Sequence, residues 1–247
     1  MSTSNQIEIS YHHQTNQLAG TLFLPPTRGP HPAIVMLHGS GPADRTNDNY
    51  FPEIRDYFVA QGFAVLCYDK PGIGASTGDW QQQSFADRAD EALAAVDYLA
   101  QRAEIDVKTI GLWGHSQGGW IVYLAASKSD KVAFIIANSG PGVPPVEQDR
   151  YGMEQVNRAA GESEATISQA LTLYDEVMEA NRKDQPFEQI ASLVTARGNA
   201  AWDRYFYFEP GAWAFLKRNF EYDPLPALRG TTCPVLAIFG ELDLLVP

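Results

Sequence analysis

The amino-acid sequence predicts an α/β fold with a mostly parallel sheet, an N-terminal antiparallel hairpin and a helical insertion. Three observations support this prediction. Apolar runs of strand length alternate with helix-like segments from Ala33 to Ala137. A glycine-flanked turn, Gly114-His115-Ser116-Gln117-Gly118, stands between one of these strands and the next helix. Helical periodicity without a strong strand then fills residues 141–228, after which the sheet resumes.

The N-terminal segment predicts the antiparallel hairpin. Ile7 to His12 and Leu18 to Leu24 have strand character and are separated by a short polar turn. A proline-rich loop, Pro25 to Pro32, follows. Ala33 to Leu37 is a continuous apolar run, which is expected of a strand that is buried on both faces of a parallel sheet.

The next segments keep the alternation of helix and strand. Tyr50 to Gln61 has helical spacing, and Phe63 to Tyr68 predicts another buried strand. Ser84 begins a second helix, because Asp87 three residues later completes a capping box. Val132 to Ala137 predicts the strand that follows the glycine-flanked turn and its helix. Strands that alternate with helices in this way pair in parallel.

Residues 141–228 predict a helical lid inserted into a core that is formed by residues 1–140 and 229–247. Nine aromatic residues between Trp202 and Tyr222 either attach this lid to the core or line an acyl pocket. Beyond the lid, Pro234 to Phe239 predicts one more buried strand. The predicted lid helices are Val146–Ala160, Glu164–Ala180, Phe187–Ala196 and Ala201–Phe220.

Composition narrows the function classes. A net charge of −12 argues against nucleic acid or an anionic membrane as a partner. No apolar run approaches the ~20 residues that span a bilayer, and the N-terminus lacks the pattern of a secretory signal. Cys67 and Cys233 are expected to be buried, reduced thiols. A cytoplasmic protein is the default expectation.

The turn around Ser116 has the Gly-x-Ser-x-Gly pattern of a nucleophile elbow. Such a turn lifts the Ser116 hydroxyl above the sheet edge. It leaves the backbone N–H of Gln117 at a helix N-terminus, where it can meet a developing oxyanion. The alternative is an ordinary glycine-rich turn, but the strand before it and the helix after it favour a nucleophile.

A second oxyanion donor is predicted in the loop His38-Gly39-Ser40-Gly41, which follows an early strand. The N–H of Ser40 is the expected partner of the N–H of Gln117. The Gly72-x-Gly74-x-x-x-Gly78 run resembles a phosphate loop only loosely, because its spacing differs from that motif. It is expected to be a surface loop near the rim of the site.

A serine nucleophile also needs a base and a carboxylate that orients the base. Asp243 is the predicted carboxylate, because it lies in the loop that follows the buried strand 234–239. Glu241 and Asp223 are weaker candidates for this role.

These motifs, with Gly240-x-x-Asp243-x-x-Val246-Pro247, resemble the α/β-hydrolase superfamily over residues 7–247. The stretch from Tyr68 to Trp80 resembles a bacterial serine esterase subgroup close to the dienelactone-hydrolase and prolyl-oligopeptidase-type hydrolases. The resemblance implies hydrolysis of small-molecule carboxylic esters through an acyl-enzyme, with no metal or organic cofactor. Two other functions share the same nucleophile turn: acyl transfer or thioester cleavage, and non-catalytic ligand binding.

The expected order of the triad is serine, acid, histidine, yet none of the five histidines follows Asp243. One hypothesis is a shortened chain without the last strand and helix, about 30–60 residues. The others are a histidine from a second chain, or a substitute within this chain. His38 is expected to brace its loop and His115 to pack below the elbow. A missing last strand would expose a sheet edge, which predicts self-association.

Overall fold

The computed structural model describes residues 5–197 and 209–247. Within them the strands are β1 (Asn5–His13), β2 (Asn16–Leu24), β3 (His31–Leu37), β4 (Ala64–Tyr68), β5 (Ile105–His115), β6 (Phe134–Asn138) and β7 (Val235–Ile238). The helices are α1 (Phe51–Ala60), α2 (Phe85–Ala100), α3 (Gln117–Lys128), α4 (Pro145–Ala159), α5 (Glu164–Arg182), α6 (Phe187–Arg197), α7 (Pro210–Asn219) and α8 (Leu225–Gly230). A short 3₁₀-helix covers Trp80–Gln82.

The described strands form one sheet in the order β1-β2-β4-β3-β5-β6-β7. The β1–β2 and β2–β4 pairs are antiparallel, and the other neighbouring pairs are parallel. This confirms the predicted α/β class and the N-terminal antiparallel hairpin. The parallel strands place the carboxyl ends of β3, β4, β5 and β6 at one edge of the sheet.

The central strands form the core of the sheet. All five residues of β4 are buried, and in β3 only Pro32 is partly exposed. A cluster of buried side chains that includes Ile34, Met36, Phe51 and Trp113 packs on this part of the sheet. The continuous apolar runs therefore predicted these strands correctly, because a strand covered on both faces needs no polar alternation.

Helix α2 begins with the predicted capping box. The Ser84 hydroxyl accepts a hydrogen bond from the Asp87 N–H at 3.1 Å, and the Asp87 carboxylate accepts one from the Ser84 N–H at 2.8 Å. Such reciprocal bonds satisfy N–H groups that a helix start otherwise leaves without partners. The buried face of the helix carries Arg88 and Glu91 as well as apolar residues, which is unusual for a helix that packs on a sheet.

The chain divides into two compact units. The first contains Met1–Gly140 and Pro224–Phe239, and the second contains Pro141–Asp223 and Gly240–Pro247. The second unit has its own apolar cluster, which includes Leu173, Tyr174 and Trp213. Five of the nine aromatic residues noted in the sequence lie outside the described residues: Trp202, Tyr205, Phe206, Tyr207 and Phe208.

Strand β7 corrects one prediction. The apolar run from Pro234 to Phe239 was expected to be buried, but all four residues of β7 are exposed. The strand pairs with β6 alone and forms the last strand of the described sheet. An apolar run shows that a strand can be buried, and the neighbouring elements decide whether it is.

The structure tests the expectations for the cysteines and for membrane-spanning segments. Cys67 and Cys233 are both free thiols, with Cys67 buried and Cys233 half-buried, so the predicted burial holds in full for Cys67 alone. Among the helices that the structure describes, none combines the length and the apolar character that crossing a lipid bilayer requires.

Candidate active site

Ser116 lies at the junction of β5 and α3 in a strained backbone conformation, with φ 51° and ψ −118°. A positive φ at a residue with a side chain costs about 1–3 kcal/mol and persists only where the surroundings impose it. Here the Ser116 N–H donates to the Asn138 carbonyl at 2.9 Å, and the Ser116 carbonyl accepts from the Gly119 N–H at 2.7 Å. The end of β6 and the first turn of α3 therefore hold the serine in this conformation.

Gly114 and Gly118 make this turn possible. A Cβ on Gly114 would overlap the Gly118 carbonyl, and one on Gly118 would lie 2.6 Å from the Leu37 carbonyl oxygen. Both separations are too short for real Cβ contacts. Backbone atoms approach both positions so closely that only glycine fits. This explains why glycines flank the serine in the Gly-x-Ser-x-Gly pattern.

The loop after β3 lies against the turn. A Cβ on Gly39 would lie 3.6 Å from the Cβ of Ser116, so the two segments are in van der Waals range. Ser40, the predicted oxyanion donor, is the next residue and is exposed, whereas Gln117 is buried. The structure therefore brings Ser116, Gln117 and the Ser40 loop together at the carboxyl edge of the sheet.

Two buried basic side chains bind the loop after β3, and one of them also binds Gln117. The Lys70 Nζ donates to the carbonyl oxygens of Gly39 and Gly41, at 2.6 Å each. The Arg88 Nη2 donates to the His38 carbonyl at 3.1 Å, and its Nη1 donates to the Gln117 side-chain oxygen. Burial lowers the pKa of Lys70 well below its usual value, and the nearby Arg88 charge lowers it further.

His38 is completely buried beside this loop. Its ring stacks on Phe51 at 5.3 Å and meets the edge of Tyr68 at 5.1 Å between ring centroids. Burial holds the pKa of His38 well below its usual value, and the charges of Lys70 and Arg88 lower it further. A neutral, enclosed imidazole is suited to bracing the loop rather than to exchanging protons with a substrate.

His115 follows the strand and precedes the serine. Its ring lies 4.4 Å from the Tyr50 ring, and its Nδ1 is 3.4 Å from the Asn138 side-chain nitrogen. Tyr50 also accepts a hydrogen bond from the same Asn138 amide at 2.9 Å. His115 is therefore part of a packed group beside the elbow.

The remaining histidines lie away from Ser116. His31 begins β3, at the amino end of a strand parallel to β5, so it is at the opposite edge of the sheet from the elbow. His12 and His13 end β1, which lies four strand positions from β5 in the sheet. At about 4.8 Å per strand, this separation is roughly 19 Å.

Asp243 belongs to the second unit, where its contacts form a local turn. Its Oδ1 accepts from the N–H groups of Leu245 and Val246, at 2.9 and 3.1 Å. Its own N–H donates to the Gly240 carbonyl at 3.2 Å, and the Tyr151 hydroxyl lies 3.4 Å from its carbonyl oxygen. The carboxylate is half-buried and accepts from backbone donors, so it is held in a defined orientation.

Sequence reasoning missed Lys70 and Arg88. Lys70 is the second residue after the buried strand β4, and Arg88 lies three residues after Phe85 on the apolar face of α2. A charged residue on such a face signals a specific partner, because a buried cation without one is costly. The positions of Lys70 and Arg88 in the sequence could therefore have indicated buried partners, but the sequence does not show which groups those partners are.

A strained serine on the turn between a central parallel strand and a helix is the arrangement of the nucleophile elbow in α/β-hydrolases. The chain is an α/β-hydrolase. Over residues 15–243 it matches one family within that class. The chain belongs to the family described as X-Pro dipeptidyl-peptidase (S15 family).

Individual relatives carry several activities. The chain is 27% identical to the esterase EstD of Thermotoga maritima over 92% of its own length and 50% of EstD, so it spans half of that relative. It is 30% identical to the polyketide transferase grgF of a Penicillium species, over 88% of this chain and 76% of the relative. The solved structure of DcsB with its substrate analogue has a TM-score of 0.67 at 18% identity, over 99% of this chain and 82% of DcsB, which shows the shared fold.

Proposed function

We propose that this protein cleaves carboxylic esters through an acyl-enzyme on Ser116. The observation that carries the proposal is the strained conformation of Ser116, φ 51°, at the carboxyl end of β5. Strain of this kind is retained where it serves a mechanism. Esterase relatives support ester hydrolysis in general, and the local geometry supports Ser116 as the nucleophile.

The proposed reaction begins with attack of the Ser116 Oγ on the ester carbonyl. The carbonyl oxygen becomes an oxyanion, which the N–H groups of Ser40 and Gln117 stabilise. The serine proton passes through solvent water to the leaving oxygen, so that collapse of this intermediate releases the alcohol and leaves an acyl-serine, which water then hydrolyses. Asp243 is the proposed orienting acid of the triad.

None of the five histidines of this chain is proposed as the base that accepts the serine proton. His38 is enclosed and held neutral, His115 is packed on Tyr50, and the others lie on distant parts of the sheet. In serine proteases, loss of one triad member leaves about 10³–10⁴-fold catalysis over water. We therefore expect these 247 residues to turn over esters slowly.

The direct test compares the wild-type chain with Ser116→Ala on p-nitrophenyl butyrate and on a fluorophosphonate probe. We expect the substitution to abolish labelling and to lower hydrolysis, with a residual rate above the uncatalysed background from the oxyanion donors and substrate binding. Intact mass and peptide mapping identify the labelled residue. Full hydrolysis by the Ser116→Ala variant, or label on another residue, would show that the proposed nucleophile is wrong.

A second measurement tests the missing base. Added imidazole can accept the serine proton if the site lacks its own histidine, so the rate should rise with imidazole concentration. The matched control is Ser116→Ala, which reports the direct reaction of imidazole with the ester. An imidazole response that is equal in both proteins would contradict the assignment.

Acyl transfer is the second candidate, because the polyketide transferase grgF is 30% identical to this chain. The same acyl-serine can be attacked by an amine or an alcohol in place of water. Product analysis with a thioester donor and a competing amine separates the two outcomes. A dominant amide product favours the transferase, and free acid favours the hydrolase.

A further inference from the structure

We propose that Lys70 and Arg88 are positioning residues for the oxyanion hole, acting through the carbonyl groups that they bind. The inference rests on the proposed function of Ser116, because it concerns the donors that face this serine. Neither side chain contacts the reacting atoms in this arrangement. Lys70 fixes the Gly39–Ser40 peptide, whose other side carries the Ser40 N–H, and Arg88 binds the side chain of Gln117 and the carbonyl of His38.

Lys70 fixes the loop that follows β3. Its ammonium group is bonded to the Gly39 and Gly41 carbonyls, 31 and 29 positions away in the sequence. In a trans peptide the C=O and the following N–H point in opposite directions. Because the Gly39 carbonyl points at Lys70, the N–H of Ser40 points away from it. One lysine therefore sets the direction of the proposed first donor.

Arg88 joins this loop to the elbow. Its guanidinium binds the His38 carbonyl, 50 positions away, with one nitrogen and the Gln117 side chain with another. Gln117 contributes the proposed second donor through its backbone N–H. A planar guanidinium presents its donors in a rigid fork, whereas a lysine ammonium group is a point charge on a flexible stem. The two halves of the oxyanion hole are thus tied to one rigid group.

The cost of burying these cations supports a specific role. Lys70 is 2% exposed and Arg88 is 3% exposed. Buried charges are costly unless they are paired or hydrogen-bonded, and an apolar residue of similar volume is often no worse for stability. The acceptors bound by these two side chains lie in the two segments that face the nucleophile. The stability of the fold alone would not require these cations to bind acceptors next to Ser116.

The inference predicts a split between affinity and reactivity. Donors that act on the oxyanion matter in the transition state, so their displacement lowers the rate of bond formation more than it lowers binding. A fluorophosphonate reports both quantities, because its phosphoryl oxygen also becomes negative as Ser116 attacks. The readouts are the maximal labelling rate kinact and the half-saturation constant KI.

The experiment compares Lys70→Met, Arg88→Lys and Gln117→Met with wild type and with the exposed-lysine control Lys108→Met. Loss of one oxyanion donor costs about 10²–10³-fold in a serine protease, and a displaced donor should cost less. We expect kinact to fall about 10–100-fold in Lys70→Met and Arg88→Lys, and about 3–10-fold in Gln117→Met. KI should stay within about threefold, and Lys108→Met should match wild type.

Circular dichroism and thermal melting establish which variants fold. Gln117→Met keeps the backbone donor and the Arg88 side chain, so it remains informative if Lys70→Met and Arg88→Lys unfold. Wild-type kinact in every folded variant would overturn the inference while Ser116 still reacts. An equal loss of kinact in Lys108→Met would overturn it too. If wild-type Ser116 takes no label, the proposed function itself fails and the inference falls with it.

Discussion

The first unit differs on the two sides of β5. On one side, β3 and β4 are buried, and polar side chains tie together the loops that follow them. Asp69, for example, binds the Arg45 guanidinium at 2.8 Å and the Ala75 N–H at 3.1 Å. On the other side, β6 leads to β7, whose four residues are all exposed. The turn that carries Ser116 lies between the buried β3–β4 side and the exposed β7 side.

This difference shows which part of the proposed chemistry is built into the described residues. Stabilisation of an oxyanion depends on donors that are fixed before the reaction, because reorganisation during the reaction costs energy. The β3–β4 side provides that rigidity through buried ions and backbone acceptors. The β7 side offers apolar surface and backbone pairing groups instead. The following predictions test this contrast.

The largest expected effect comes from Gly118→Ala at the preorganised turn. The added methyl would lie 2.6 Å from the Leu37 carbonyl oxygen and 2.9 Å from that of His38, so the end of β3 must move. We expect a loss of about 3 kcal/mol in the free energy of unfolding, measured in urea. The control is Gly142→Ala, where a Cβ meets nothing within 4 Å. Equal losses in both variants would show that the turn is less tightly packed than described.

The next effect is a pH dependence from Glu91, which is buried on the same face of α2 as Arg88. Burial raises its pKa from 4.5 to about 7 against the opposing effect of Arg88. Since the folded-state pKa is the higher one, its stabilising contribution is full below pH 4.5 and is lost as pH rises through 7. From pH 4.5 to 7.5, wild type should therefore lose about 2–3 kcal/mol relative to Glu91→Gln.

Urea unfolding across this pH range measures the difference, with the exposed-residue variant Glu53→Gln as control. A pH-independent difference between Glu91→Gln and wild type would mean that Glu91 titrates alike in the folded and unfolded chain. That result would weaken the description of the β4 side as a buried charged network.

The smallest effect concerns the open side. We expect the chain to self-associate through β7, because an exposed apolar edge strand offers unpaired backbone groups to another chain. Leu236 is 53% exposed, and Leu236→Lys should weaken association about fivefold, since charged residues on edge strands oppose pairing. Light scattering over a concentration series measures this.

Val107→Lys provides the matched control for the edge. Val107 is 55% exposed but lies on β5, an interior strand of the sheet. The control should associate as wild type does. A wild-type chain that stays monomeric at all concentrations, or equal weakening in both variants, would contradict pairing through β7.

Local patterns were sufficient for much of the fold and for part of the site. The capping box of α2 depends on Ser84 and Asp87, which are three residues apart. The elbow depends on glycines two residues from Ser116 on each side. Such short-range requirements are written in the sequence itself, because the interacting groups are chain neighbours. The brief 3₁₀-helix at Trp80–Gln82 was missed, since it has no periodicity to detect.

The sequence alone determined the alternation of strands and helices, the hairpin and the turn that carries Ser116. Only the tertiary structure decided that Lys70 and Arg88 bind the loop beside this turn, and that the apolar strand β7 is exposed. The physical reason is sequence distance. A hydrogen bond across 31 or 50 positions, or the covering of a strand face, depends on which elements the completed sheet places side by side.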